Sequence, residues 1–146
     1  ATVPASIFTD GSSLGNPGPG GFAAIIKIDG KTIIAKGGEA LTTNNRMEMS
    51  AIIAGLYMIH KNYPKEHTAS VFSDSSLIID SIKKGWKRKK NTDLWEKLDS
   101  IIKKFDAISW NWVKGHAGHP ENTHADRVAV DEAKKQKRLL GGNRSR

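Results

Sequence analysis

Cysteine is absent from the chain, and with it go disulfide scaffolds, thiol nucleophiles and cysteine-based zinc sites, which fits a reducing compartment. Apolar runs are short. None approaches the roughly 20 residues that span a bilayer, and the first residues hold no basic segment followed by an apolar one. The expectation is a cytoplasmic protein with no membrane partner. Internal repeats and linkers are missing too, so the 146 residues read as one domain, long enough to bury a core without metal or disulfide staples. We place that domain at 1–140, expect a disordered basic tail at 141–146, and expect a monomer.

Acidic residues are the minority, and unevenly so. Residues 1–82 hold 6 Lys+Arg against 7 Asp+Glu, whereas 83–146 hold 17 against 8, and together they give the net charge of +8. The excess gathers in "KKGWKRKK" (83–90) and "KKQKRLLGGNRSR" (134–146). Such patches favour polyanions, chiefly nucleic acid, but taken alone they read equally well as a solvated surface.

What is present begins with "SIFTDGSSLGNPGPGG" (6–21), a β-prone start that reaches Asp10 and then a stretch too rich in Gly and Pro for helix. The pattern predicts a strand ending at Asp10 and a loop after it. "GFAAIIKIDGKTIIAKGG" (21–38) is two β-rich runs around Asp29-Gly30, a strong hairpin signal. "TTNNRMEMSAIIAGLYMIHKNY" (42–63) turns helical, with Thr43 or Asn44 as cap and Glu48, Ile52, Gly55 and Ile59 on one stripe. "ASVFSD" (69–74) is a strand that again ends in Asp, and "SSLIIDSI" (75–82) a short helix. Leu94, Leu98, Ile101 and Phe105 mark an amphipathic helix that Asn91 or Thr92 starts. "AISWNWV" (107–113) alternates as a half-buried strand, and after "KGHAGHPEN" (114–122) a last helix runs to about Lys137. The order is βββαβααβα in an α/β fold.

Three acids sit in unusual places. Asp10 and Asp74 each end a strand, and Glu48 lies on an apolar helix stripe. Each alone reads as a turn cap or a surface acid. If the first and fourth strands are neighbours and the helix packs across them, the three carboxylates converge. Such a cluster calls for protons or a cation, and an all-oxygen donor set favours Mg²⁺ or Mn²⁺ over zinc. Asp126 in "ENTHADRVA" is a candidate fourth ligand. Carboxylate-bound metal pairs promote phosphodiester hydrolysis, so an acidic centre in a basic protein suits a nuclease. His116 and His119, spaced HxxH, with His124 close by, raise zinc as an alternative, but HxxH in a Gly/Pro loop is a weak signal.

"TDGSSLGNPGPGG", "TNNRMEM", "SDSS" and "WVKGHAGHPENTHAD" resemble, in order, the signature segments of type 1 ribonuclease H, the endonuclease family that cuts the RNA strand of RNA–DNA hybrids. The resemblance spans the chain to about residue 137. It implies a ribonuclease H-like fold with a five-stranded mixed sheet, three strands antiparallel and then two parallel. It implies that Asp10, Glu48, Asp74 and Asp126 bind two Mg²⁺ ions, with Mn²⁺ able to substitute, and that cleavage leaves 5′-phosphate and 3′-hydroxyl ends. His116 by resemblance moves protons or helps release product, a task that suits an imidazole. Asn16, Asn44 and Asn45 match residues that line the minor groove, where amides that both donate and accept read 2′-hydroxyls. For Asn44 helix capping is the competing role. The glycines after Asp10 let backbone approach a ligand closely or serve tight turns.

The resemblance is imperfect in three places. Bacterial members commonly carry a basic helix and loop between the segments matching Asp74 and Asn91, and only "KKGWKRKK" stands here. Trp86 can stack on a sugar or base while Lys87, Arg88, Lys89 and Lys90 meet phosphates. The same run also reads as a solvated surface with Trp86 against the core. Ser76 stands where the family often has a groove-reading glutamine, and Leu41 where an arginine helps hold a DNA phosphate. Thr43 and Asn91 match the rest of that phosphate pocket. The readings weighed against a hybrid-cutting endoribonuclease are a DNA-cutting nuclease of the same fold and a catalytically weak hybrid-binding module.

Overall fold

The computed structural model describes residues 4–66, 68–85, 89–114 and 119–144. Strands β1 (Ala5–Ser13), β2 (Gly18–Ile28) and β3 (Lys31–Thr42) come first, followed by helix α1 (Asn44–Asn62). Strand β4 (Thr68–Ser73), helices α2 (Ser76–Lys84) and α3 (Thr92–Ile102), strand β5 (Ala107–Trp112) and helix α4 (Pro120–Arg144) complete the expected order. The five strands lie in the order β3-β2-β1-β4-β5. β1, β2 and β3 pair antiparallel, while β4 pairs parallel with β1 and with β5. Parallel neighbours need a crossover, which α1 supplies between β3 and β4 and the α2–α3 pair between β4 and β5. The turn at Asp29 (φ 52°) and Gly30 (φ 70°) has both central residues left-handed, as a two-residue hairpin requires.

Alternation along the strands sorts the core into two layers. Ile7 of β1 and Ala24, Ile26 and Ile28 of β2 bury with Ile52, Leu56 and Ile59 of α1, on which α3 sets Leu94 and Leu98. On the opposite face Phe8, Ala23 and Ile25 bury against Ala125 and Ala129 of α4. The small alanines let the last helix lie close to the sheet. Gly21 continues that approach: a Cβ there would stand 2.4 Å from the Ala129 carbonyl oxygen.

Two expectations change. β1 does not stop at Asp10 but continues to Ser13, with Gly11, Ser12 and Ser13 paired to Phe22, Gly21 and Gly20 of β2. Glycine here is strand, because the missing side chains admit the helices stacked on the sheet. Gly11 makes the case, since its Cβ would lie 2.3 Å from the Glu48 backbone nitrogen. Asp10 still lies beyond the last β1–β4 pair, Phe8 with Phe72. The last helix also passes its expected end near Lys137 and continues to Arg144, so residues 141–144 are helical where a disordered tail was expected. Gly141 lowers helix propensity by about 1 kcal/mol relative to Ala but does not break the turn, and no proline stands between Glu121 and Arg144 to interrupt it.

Candidate active site

The N-terminus of α1 is fixed first. Thr43 is its N-cap, and the Thr43 Oγ1 accepts from the Arg46 backbone N–H at 3.2 Å. Asn16 reaches across from the β1–β2 turn, its Oδ1 accepting from the Asn44 backbone N–H at 3.3 Å. Glu48, one turn in, is thereby brought over Gly11 to the side of Asp10. Asp74 arrives from the end of β4, just before Ser75 caps α2. The Trp112 Nε1 donates to the Asp74 carbonyl oxygen at 3.1 Å, tying that junction to β5.

Asp10, Glu48 and Asp74 each offer a carboxylate oxygen within 4.8 Å of the others. Asp10 is 6 % exposed and Glu48 9 %. Asp126 comes from α4 on the Phe8 face of the sheet, close enough to share a hydrogen bond with Asp10. Three carboxyls therefore meet at one end of the central strands, with Asp126 of α4 beside Asp10.

Their protonation reflects that crowding. Burial pushes the Asp10 carboxyl up from the usual 3.8 to about 7. The hydrogen bond with Glu48 and the Gly11 N–H, which donates to Asp10 Oδ1 at 2.8 Å, pull it down, while Asp126 and the charge of Asp74 push it up. Glu48 is raised well above its usual value, by burial first and then by the charge of Asp10, their hydrogen bond and the charge of Asp74. Both shifts favour the protonated forms of this tightly coupled pair. Protons thus do part of the neutralising work that a cation can do. Among the described residues Glu48 Oε2 is buried with no hydrogen-bond partner, a costly state for a carboxyl oxygen unless something else meets it. Oxygen donors only, one of them unsatisfied, fit a hard divalent cation such as Mg²⁺ or Mn²⁺.

A cleft of about 560 Å³ runs from these acids to the amides and is lined by Glu48 and Asp74, by Asn16, Thr43, Asn44 and Asn45, and by Lys90 and Asn91. Ser75 and Leu77 of the α2 N-terminus line it as well; sequence reasoning missed both, although Ser75 before an apolar helix is a capping pattern. Ser76, the residue singled out in the sequence, is exposed beside them and Lys89 is exposed. Leu41 is 71 % exposed. His116, Trp86, Lys87 and Arg88 lie outside the described residues. His119 packs edge-on against the rings of Phe8 and Phe72, at 5.2 and 4.8 Å. His124 is exposed on α4. Among the described residues the candidate metal-holding group is acidic.

A second missed feature borders the cleft. Asn91 precedes α3 in a left-handed conformation (φ 58°) and makes no side-chain cap. Its Oδ1 instead accepts from Arg46 Nη1 at 3.2 Å. Arg46 also holds Asp93 with both ends of its fork, at 3.0 and 2.8 Å, and the guanidinium keeps the Asp93 carboxyl down at about 2.

Comparison with known proteins converges on one family. The family model described as RNase H matches residues 4–134. A ribonuclease H of Bradyrhizobium sp. (strain ORS 278) is 45 % identical over 139 residues, covering 86 % of this chain and 87 % of its own. A ribonuclease H of Escherichia coli O139:H28 is 44 % identical over 137 residues, covering 84 % of each. The N-terminal RNase H domain of rv2228c from Mycobacterium tuberculosis, solved as a maltose-binding-protein fusion, superposes with a TM-score of 0.84 at 30 % identity, over 95 % of this chain and 99 % of that one. LC11-RNase H1, solved in complex with an RNA/DNA hybrid, superposes with a TM-score of 0.77 at 25 % identity, over 90 % and 97 %.

Proposed function

Since this chain belongs to the ribonuclease H family and is an endonuclease of that kind, we propose that it hydrolyses the RNA strand of RNA–DNA hybrids with two divalent ions, leaving 5′-phosphate and 3′-hydroxyl ends. The observation that carries the reading is one cleft in which Glu48 and Asp74 lie alongside Asn16, Asn44 and Asn45. Acids suited to a hard cation and amides suited to 2′-hydroxyls share one surface, where a DNA-cutting nuclease has no use for the second set.

In this reading Asp10, Glu48, Asp74 and Asp126 hold the ions. What bound Mg²⁺ or Mn²⁺ supplies is Lewis acidity toward the attacking water and the leaving oxygen. The chain's own residues do the rest. Asp10 is kept in place by the Gly11 N–H, and bound cations would take over the neutralisation that burial otherwise demands of Glu48. Asn16, Asn44 and Asn45 orient the RNA strand through its 2′-hydroxyls, and Thr43 and Asn91 donate to a phosphate of the DNA strand. Lys89 and Lys90, with Trp86, Lys87 and Arg88, grip the backbone by charge and stacking, and Ser76 borders the groove. His116 carries a proton toward the leaving product. One chain is the working unit, since all four acids come from it.

The test is cleavage of one sequence as RNA–DNA hybrid, duplex RNA and duplex DNA, with Mg²⁺, with Mn²⁺ and with chelator, followed by end-group analysis. Metal-dependent cutting of the hybrid's RNA alone is the expected result. Cutting of duplex DNA, or hybrid binding with no cutting under any metal, refutes it.

A further inference from the structure

A half-exposed ion pair contributes little to stability, about 0–1 kcal/mol. Arg46 and Asp93 are such a pair, 26 % and 59 % exposed, yet their geometry is more constrained than a surface pair needs. The fork is bidentate, and Nη1 is shared with a third group, the Asn91 amide. Guanidinium has donors only, so it can face nothing but the Asn91 oxygen, which orients the amide with its NH₂ turned away from Arg46. Asn91 lines the cleft. The backbone N–H of the same Arg46 occupies a lone pair of the Thr43 hydroxyl, leaving the hydroxyl proton for another acceptor. Two neutral donors on the cleft are thereby aligned by one residue, through its main chain at Thr43 and its side chain at Asn91.

Resting on the hybrid-binding reading above, we propose that Arg46 is a positioning residue for substrate: its guanidinium, braced by Asp93, sets the Asn91 NH₂ toward a phosphate of the bound strand without touching that phosphate. Lysine cannot replace it, because an ammonium lacks the planar fork that holds a carboxylate and an amide at once. Asp93 is ionised across the neutral range as any exposed carboxyl is, and the guanidinium extends that state further into acid.

The experiment compares the parent with Arg46→Gln, Arg46→Lys, Asn91→Ala and the double variant Arg46→Gln/Asn91→Ala. Hybrid affinity is read by fluorescence anisotropy in chelator at several salt concentrations, KM and kcat are read with Mg²⁺, and melting temperature is recorded for each. Either Arg46 variant is expected to weaken binding and raise KM by about three- to tenfold, the effect of one misdirected neutral donor, with kcat within about twofold. The double variant is expected to match Asn91→Ala, since the two act as one unit. The salt slope is expected to stay at the parental value. A fall of about 0.9 in the slope for Arg46→Gln marks a direct phosphate contact and overturns the proposal. So do unchanged affinity with a lowered melting temperature, which makes the clamp merely structural, and multiplicative effects in the double variant. If Arg46→Gln does not fold at assay temperature, Arg46→Lys carries the same comparison. A parent that binds hybrid but never cuts it refutes the function proposed above while leaving the affinity test of Arg46 intact, and a parent that does neither overturns both.

Discussion

At the residue scale, the acids make stability and activity pull against each other. The Asp10 carboxyl stands at about 7 in the folded protein against 3.8 unfolded, chiefly because it is buried. The folded state therefore binds more protons than the unfolded state between those values, and stability is lost as pH rises through that window. At about 1.4 kcal/mol per unit, the Asp10 contribution is fully present below about pH 4 and has fallen by roughly 4 kcal/mol by about pH 7. Asp10→Asn removes both the titration and the repulsion from Asp74. Urea unfolding in chelator is expected to find Asp10→Asn more stable than the parent by an amount that grows from pH 4 to pH 7 and levels off above it, while hybrid cleavage with Mg²⁺ is abolished. A pH-independent difference defeats the electrostatic account, and near-parental cleavage defeats the ligand role. Because cations compete with the same protons, Mg²⁺ is expected to raise the parental melting temperature more at pH 8 than at pH 5.

Elements meet at the site through a glycine. α1 can bring Glu48 to Asp10 only because β1 has no side chain at Gly11, where a Cβ would lie 2.3 Å from Glu48 N and 2.5 Å from the Met47 carbonyl carbon. Both are main-chain atoms of a packed helix, so the helix rather than a flexible side chain has to move. Gly11→Ala is expected to destabilise by roughly 1–3 kcal/mol as overpacking. It is also expected to lower kcat about a hundredfold, by shifting the carboxylate cluster on the scale of an ångström, with KM much less affected. A variant with parental kcat and a lowered melting temperature separates the close approach from the chemistry. The types and order of elements were legible because period-2 and period-3.6 patterns are strong from Ala5 to Phe105. Extent was less so. Gly and Pro after Asp10 read as loop because their local preference says so, whereas pairing with β2 and the helices overhead decide the matter. α4 beyond Lys137 lacks an apolar pattern to mark it, and helical continuity alone carries it to Arg144.

Over the whole molecule, Asp10, Glu48 and Asp74 lie far apart in sequence and meet only in the fold. Asp126 carries no mark of its own, but these three were legible because an acid at a strand end or on an apolar stripe is out of place. Through-space pairs were not: Arg46 finds Asp93 at a separation of 47 residues, and Trp112 finds Asp74 at 38, with no local pattern to announce either. The charge asymmetry was legible as well, and the cleft joins its two halves, with Glu48 and Asp74 from the near-neutral part and Lys90 and Asn91 from the basic part. A duplex whose scissile strand lies over the acids is therefore expected to run its backbone toward 83–90. Changing Lys87, Arg88, Lys89 and Lys90 to Ala is expected to raise KM for hybrid, leave kcat nearly intact, and lower the log–log salt slope by about 0.9 for each phosphate no longer neutralised, a B-DNA figure. Trp86→Ala is expected to weaken binding with little change in slope, because stacking releases few counterions. Stopped-flow or steady-state titrations between low and moderate salt read both. If the fourfold variant keeps the parental KM and slope, the segment is a solvated surface, and the basic residues of α4 from Lys134 onward become the candidate grip.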